Sequence, residues 1–262
     1  MTEIDAQWMW PAGEAGARVG KQTLVLPGVL PGERVEAELP RGKGVIRATS
    51  VEIVRPSPHR RTPPCPHTAR CGGCDLAHAE PTARLDWLPA THARNLGLDH
   101  LDVVPSPRRD ARARIRLTVD DGVVGYRAPQ SHDLVAIESC GIARPEVQAM
   151  LARVLALDRG ERLGVQTIEL RSDGQRVVAD VEGQASATLL DTLEHATVNG
   201  KTVRGDPTLW LDNGGPPLRA SPGVFYQVNL DLNRQMVSWV LEQVAGARGV
   251  ADLYSGIGNF TL

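Results

Sequence analysis

Residues 251–262 read ADLYSGIGNFTL. A strand-like run, Gly249 to Tyr254, carries one acid, Asp252, and enters a turn with Gly256 and Gly258; Asn259 to Leu262 then reads as the opening of a helix. Strand, glycine turn and helix start, in that order, open a doubly wound α/β domain, so this stretch sets the class of the C-terminal part. Glycine at 256 and 258 lets backbone approach a ligand where a Cβ would collide. A lone G-x-G is shared by many turns, and an ordinary β–α turn is the alternative; the flanking pattern is what raises it to a ligand loop. The dinucleotide fingerprint asks for a third glycine where Thr261 stands, which points away from a nicotinamide dinucleotide and toward an adenosyl ligand on a shorter loop.

Working back from the loop, SPGVFYQVN (221–229) alternates Val224, Tyr226 and Val228 with Phe225, Gln227 and Asn229. Gln227 between bulky neighbours is either a side chain held for a ligand or a half-exposed strand residue. Leu230–Val244 reads as a helix with Leu232, Met236, Trp239, Val240 and Val244 as its apolar face and Gly246 as its stop. Further upstream, ARARIRLTV (111–119) puts Arg112, Arg114 and Arg116 on one strand face and Ile115, Leu117 and Val119 on the other. Asp121-Gly122 turns it into VVGYR, VQTIELR pairs with RVVADVE through SDGQ, and a third turn sits at Asn199-Gly200. Pro145 starts a helix that buries Val147, Met150, Leu151, Val154 and Leu155 and stops at Gly160.

The first 56 residues have a different texture. Short β-prone runs, 22–26, 34–39 and 45–53, are punctuated by Pro27-Gly28, Pro31-Gly32 and Arg41-Gly42, the pattern of a small closed barrel. RPSPHRRTPPCPH (55–67) cannot be helix and reads as an extended linker.

At 262 residues the chain has room for more than one domain, and at 42% hydrophobic residues it can bury a core. No apolar run is long enough to span a bilayer. The acidic start, MTEIDAQWMW, lacks the features of a secretion signal, so a soluble, cytoplasmic monomer is expected, with no membrane partner. A net charge of −2 argues nothing about nucleic acid, but its distribution does. Arg41, Lys43, Arg47, Arg55, Arg60, Arg61 and Arg70 face only Glu52 over their stretch, and Arg108, Arg109, Arg112, Arg114 and Arg116 face only Asp110. Such local stripes suit a phosphate backbone.

Four cysteines complete the picture. Cys65, Cys71 and Cys74 lie in CPHTARCGGC, and Cys140 stands far along in ESCGI. Reduced cytosolic thiols make disulfides a poor expectation. Three close thiols and one distant one match ferredoxin-type ligation of an iron–sulfur cluster, with zinc the near alternative. His59, His67 and His78 flank the set and are expected beside the site and not as ligands.

Together these segments resemble the RNA 5-methyluridine (uracil-C5) methyltransferases. LPGVLPGERVEAEL resembles their TRAM domain, CPHTARCGGC with Cys140 their [4Fe–4S] site, LRASPGVFYQVN the approach to their catalytic domain, and ADLYSGIGNFTL its first cofactor motif. The resemblance implies an α/β and β multi-domain protein: an OB-like TRAM barrel over 1–56, a central α+β iron–sulfur domain over 57–220, and the start of a Rossmann-like S-adenosylmethionine domain over 221–262. It implies methyl transfer from S-adenosylmethionine to C5 of a uridine in ribosomal or transfer RNA. Cys65, Cys71, Cys74 and Cys140 would hold the cluster; Gln227, Tyr254, Gly256, Gly258 and Asn259 would meet the cofactor. The RNA-facing set, Arg41, Lys43, Arg47, Arg112, Arg114 and Arg116, is inferred from charge.

Two positions depart from the family pattern. Ser255 stands where a cysteine is frequent, and GEAGARVG (13–20) is a degraded form of the glycine-rich TRAM opening. The family's nucleophilic cysteine and general base, and its ribose-binding carboxylate, lie downstream of the glycine loop. No catalytic residue is therefore assigned here. This chain is expected to be the front of such an enzyme, inactive alone, binding S-adenosylmethionine weakly or not at all, and partly exposed at Phe225, Trp239, Phe260 and Leu262. A catalytically silent RNA-binding iron–sulfur or zinc protein is the competing reading.

Overall fold

In the computed structural model, residues 1–106 and 109–261 are described. Arg108 and Leu262, singled out above, lie outside them. The chain divides into two compact units, Met1–Pro105 and Ser106–Leu262. The boundary falls inside the stretch that the sequence reading assigns to one central domain.

The first unit begins with seven strands: β1 (Thr2–Asp5), β2 (Trp8–Met9), β3 (Ala15–Val19), β4 (Gln22–Leu26), β5 (Arg34–Glu38), β6 (Val45–Arg47) and β7 (Ser50–Arg55). They form two sheets, β1-β5-β7 and β2-β3-β4-β6, around one core that includes Ile4, Ala17, Leu24, Leu26, Val35 and Ile46. The run 45–53, read as one strand, is two. β6 pairs in parallel with β4, whereas β7 pairs antiparallel with β5. The switch happens at Ala48-Thr49, whose amides bond Val25 O at 3.0 Å and Glu38 O at 3.0 Å, one in each sheet.

The proline-rich stretch is non-helical, as its composition dictates, but it is not a free linker. The Glu33 side chain, fully buried, accepts from the amides of Leu30 (2.8 Å) and Ser57 (3.1 Å) and pairs with both sides of the Arg60 guanidinium (2.5 and 2.7 Å). Four donors on one buried carboxylate tie residues 57–60 to the barrel. A second small core of Met9, Leu30, Leu76 and Ala79, with Trp87 and Leu88 against it, joins the helix α1 (Pro81–Leu96) to the same unit. Pro89 stands inside α1, where it removes one backbone donor.

The second unit is built on a sheet of order β10-β9-β8-β11-β12-β13-β14. Its strands are β8 (Arg114–Asp120), β9 (Val123–Arg127), β10 (Leu134–Ala136), β11 (Val165–Ser172), β12 (Val177–Gly183), β13 (Ala196–Val198) and β14 (Lys201–Arg204). All three expected hairpin turns form, with Asp121, Gly122, Asn199 and Gly200 in the left-handed region that a tight two-residue turn requires. β8 keeps the expected alternation: Ile115, Leu117 and Val119 are buried. Helix α2 (Pro145–Leu155) lays Val147, Met150, Leu151 and Val154 on the core shared with β8 and β11. Each such side chain is worth about 1.5–3 kcal/mol of burial. The helix stops at Leu155, earlier than the Gly160 expected from sequence. The buried Arg162 guanidinium, on the 3-10 turn that follows, accounts for this by donating to the carbonyls of Val154 (2.8 Å) and Leu157 (2.7 Å).

Helix α3 (Ala187–Thr192) links β12 to β13; a small hairpin, β15 (Leu209–Leu211) with β16 (Leu218–Ala220), and helix α4 (Leu230–Val244) complete the unit. Among the described residues no helix is long and apolar enough to cross a membrane.

Candidate functional site

The segment 221–229 is not a strand, yet its odd–even pattern survives because it is held at three points. Val228 O accepts from Ala113 N (2.7 Å). The Tyr226 hydroxyl lies 3.2 Å from both Ala113 O and Ser172 O and shares its one proton between them. At the upstream end Ser221 O accepts from Nη1 of Arg171 (3.1 Å), itself fully buried and paired with Asp180 (2.5 Å). Burial pushes the Tyr226 phenol far above its ordinary range, so it stays a neutral donor. Tyr226 and Val224 pack with Leu209, Leu211, Leu218 and Ala220, while Phe225 points outward, 64% exposed. The Arg114 guanidinium lies 5.5 Å from the Phe225 ring centre and 5.8 Å from that of Tyr226. Gln227 is half-buried, and no hydrogen bond of its side chain to a described residue is present.

The glycine loop differs from its expectation. Residues 250–254 pair with no strand among those described, and 259–261 form turns instead of a helix. A β-strand exists by pairing, and without a neighbour the backbone polar groups of this stretch stay with solvent. What the sequence anticipates is the glycine geometry: Gly256 and Gly258 both take left-handed φ, +58° and +84°, and a Cβ at Gly256 would meet open space. The left-handed φ, more than any crowding, is what calls for glycine at 256. Tyr254 is fully exposed and itself left-handed (φ 60°). Asn259 faces inward, in a reciprocal pair with Asn233 of α4.

Helix α4 has the expected bounds but a different buried stripe: Leu230, Asn233 and Val237, with Trp239 61% exposed. Hydrophobicity alone passes over Asn233, because its burial depends on a partner 26 residues away. Phe225 and Trp239 are exposed as expected, and Phe260 is half-buried.

The thiols fall in both units. Cys65, Cys71 and Cys74 are half-buried in the turn-rich stretch of the first, and Cys140 is buried in the second. None is in a disulfide. The Gly73 amide lies 3.4 Å from Cys71 Sγ, and the Tyr126 hydroxyl lies 3.4 Å from Cys140 Sγ. The donor chemistry fits a thiolate-ligated centre. Among the described residues, however, no three His, Cys, Asp or Glu side chains are gathered as ligands.

The basic residues divide. Arg41, Lys43 and Arg112 are exposed. Arg47 is engaged by Glu14 through both carboxylate oxygens, and Arg116 by Glu182 (2.9 Å) with Glu169 at 4.0 Å. Arg114 is the one held against aromatic rings.

Comparison with known proteins finds relatives among RNA methyltransferases. The 23S rRNA (uracil(1939)-C(5))-methyltransferase RlmD of Pectobacterium atrosepticum is 31% identical over 283 aligned residues, covering 96% of this chain and 63% of the relative. That of Cronobacter sakazakii is 30% identical, covering 95% and 64%. The homologues of this chain are RNA uracil-C5 methyltransferases. The chain thus spans somewhat less than two thirds of the length of these curated methyltransferases. The crystal structure of Pyrococcus abyssi tRNA (uracil-54, C5)-methyltransferase in complex with S-adenosyl-L-homocysteine shares the fold, with a TM-score of 0.80 at 20% identity over 98% of this chain and 69% of that one. No protein-family profile matches.

Sequence reasoning missed Arg171, Asn213 and Asn233. Each is a polar residue made buriable by a partner distant in sequence, and no local pattern marks such a residue.

Proposed function

We propose that this chain is the RNA-handling front of an RNA uracil-C5 methyltransferase, acting with S-adenosylmethionine on C5 of a uridine in ribosomal or transfer RNA. The observation that carries it is the arrangement around 221–229. An exposed ring (Phe225), a guanidinium over it (Arg114) and a half-buried carboxamide (Gln227) stand together, in a chain homologous to enzymes of that chemistry. An aromatic face beside arginine is what an unstacked RNA base needs. Tyr226 anchors the segment from below, so that these groups keep their spacing without a strand.

S-adenosylmethionine supplies an electrophilic methyl group and leaves as S-adenosylhomocysteine. Here Gly256 and Gly258 provide the close backbone approach, and Gln227 and Tyr254 the polar and aromatic side chains open to it. Asn259, in the resemblance, belongs to the same set. Cys65, Cys71, Cys74 and Cys140 would hold the [4Fe–4S] cluster, a structural role that needs no redox step. The domain reading of 1–56 as TRAM-like, 57–220 as the cluster-bearing part and 221–262 as the first part of the cofactor domain belongs to the same proposal, as do a cytoplasmic location and a monomeric state.

Fluorescence anisotropy with a single-stranded uridine-containing RNA, at two salt concentrations, tests the RNA side. Phe225→Ala is expected to weaken binding about tenfold, a stacking loss of roughly 1–3 kcal/mol, with the salt dependence unchanged. Arg112→Ala is expected to lower the salt slope by about one. Wild-type affinity in both variants would contradict the proposal.

A further inference from the structure

Three asparagines from three elements meet at the glycine loop. Nδ2 of Asn233, on α4, donates to Oδ1 of Asn259 (2.8 Å), and Nδ2 of Asn259 donates back to Oδ1 of Asn233 (2.9 Å). Nδ2 of Asn213, in the connection after β15, donates to the main-chain carbonyl of Asn259 (3.2 Å). Asn213 and Asn233 are 2% and 6% exposed. Burying two carboxamides is unfavourable unless their donors and acceptors are met; Asn233 exchanges bonds with Asn259, and Asn213 donates to the Asn259 carbonyl and accepts from the Gly215 amide (3.3 Å).

The loop has few other fixed points. Its own bonds are turn bonds, Gly258 N to Ser255 O (2.9 Å) and Thr261 N to Gly258 O (3.1 Å), with Thr261 Oγ1 to Asp252 (2.5 Å). Ile257 is partly buried against the core below, while Tyr254 touches solvent on all sides. The pair engages one N–H and one oxygen lone pair of the Asn259 carboxamide, and so fixes the C-terminal end of the loop without exhausting that side chain.

We infer that Asn233 and Asn213 are positioning residues for the glycine loop, and that Asn259 is the point at which they hold it. The inference rests on reading 254–259 as a cofactor loop, and it adds two residues outside the motif to the machinery that sets the loop's shape. Asparagine is required at 233 by the reciprocity. Leucine, close in size, loses both bonds; aspartate keeps the bond from Asn259 Nδ2 but sets a carboxylate oxygen against Asn259 Oδ1.

Amide hydrogen exchange on the whole 262-residue chain, with S-adenosylhomocysteine as the probe ligand, tests this. In Asn233→Leu the amides of Gly258 and Thr261 are expected to exchange about tenfold faster, the equivalent of about 1.4 kcal/mol, while β8 and β11 keep their protection. Asn259→Ala breaks the same pair from the loop side, without touching α4, and should give the same rise. The double variant should add nothing to either single one, because one interaction is removed twice. A role for Asn233 merely in the stability of α4 would instead loosen α4 and leave Asn259→Ala silent; that result, or an unchanged loop in both variants, overturns the inference. The ligand arm is separate. Protection of the wild-type loop by S-adenosylhomocysteine that is lost in Asn233→Leu supports the positioning role. No protection of the wild-type loop would sink the cofactor reading and with it the role in ligand binding, while the exchange data would still decide whether the pair anchors the loop.

Discussion

Glu33→Ala is expected to destabilise the N-terminal unit by about 3–5 kcal/mol, the cost of leaving a buried ion pair with one partner. Glu33 is fully buried, and Arg60 is also largely covered. Without the carboxylate, the Leu30 and Ser57 amides lose this acceptor and the guanidinium is left with the Gly28 carbonyl (2.7 Å) among the described residues. The barrel and the stretch leading to the cysteines would come apart at this point first. Burial alone would raise the Glu33 pKa; the Arg60 hydrogen bonds and the two amides outweigh it and hold the carboxyl below its ordinary 4.5. A carboxyl depressed in the folded state contributes its stability above the unfolded value and loses it as pH falls from there through the folded value. Urea melts should therefore show the wild type weakening below about pH 4.5, and Glu33→Gln should flatten that acid limb. A Glu33→Ala variant that melts with the wild type would mean the four bonds contribute nothing.

Serine in place of any one of Cys65, Cys71, Cys74 or Cys140 is expected to abolish the iron–sulfur centre proposed above. Serine keeps the size but replaces a soft thiolate with a poor iron ligand. Wild-type protein prepared without oxygen should be brown, absorbing near ~400 nm, and each variant colourless. Because ligand binding to a site absent from the unfolded chain is folding free energy, each variant should also melt several degrees lower. Zinc in place of iron would turn the donor set to its near alternative. Variants that keep the colour and the melting temperature would remove that residue from the ligand set.

Most of the frame is legible in the sequence wherever the information is local. The hairpin turns follow from Asp121-Gly122 and Asn199-Gly200, which tolerate left-handed backbone, and the β8 alternation follows from the two-residue period. α4 has its expected ends because Asn229 caps it, its Oδ1 accepting from Leu232 N at 3.1 Å. The errors lie where distant partners decide. The break at Ala48-Thr49 depends on two sheets competing for one strand. The end of α2 depends on Arg162 reaching back to it. The face of α4 depends on Asn259. Of the site, the glycine geometry and the outward Phe225 are readable, whereas the strand expected at 250–254 requires pairing partners that no stretch of sequence can supply by itself.

The adenosyl site is tested most directly by titrating isotope-labelled protein with S-adenosylhomocysteine, up to roughly millimolar ligand, and following amide resonances. Shifts concentrated at 225–229 and 254–259, abolished in Gln227→Ala and Gly258→Val, are the expected result. Shifts elsewhere, or none at any concentration, would contradict it.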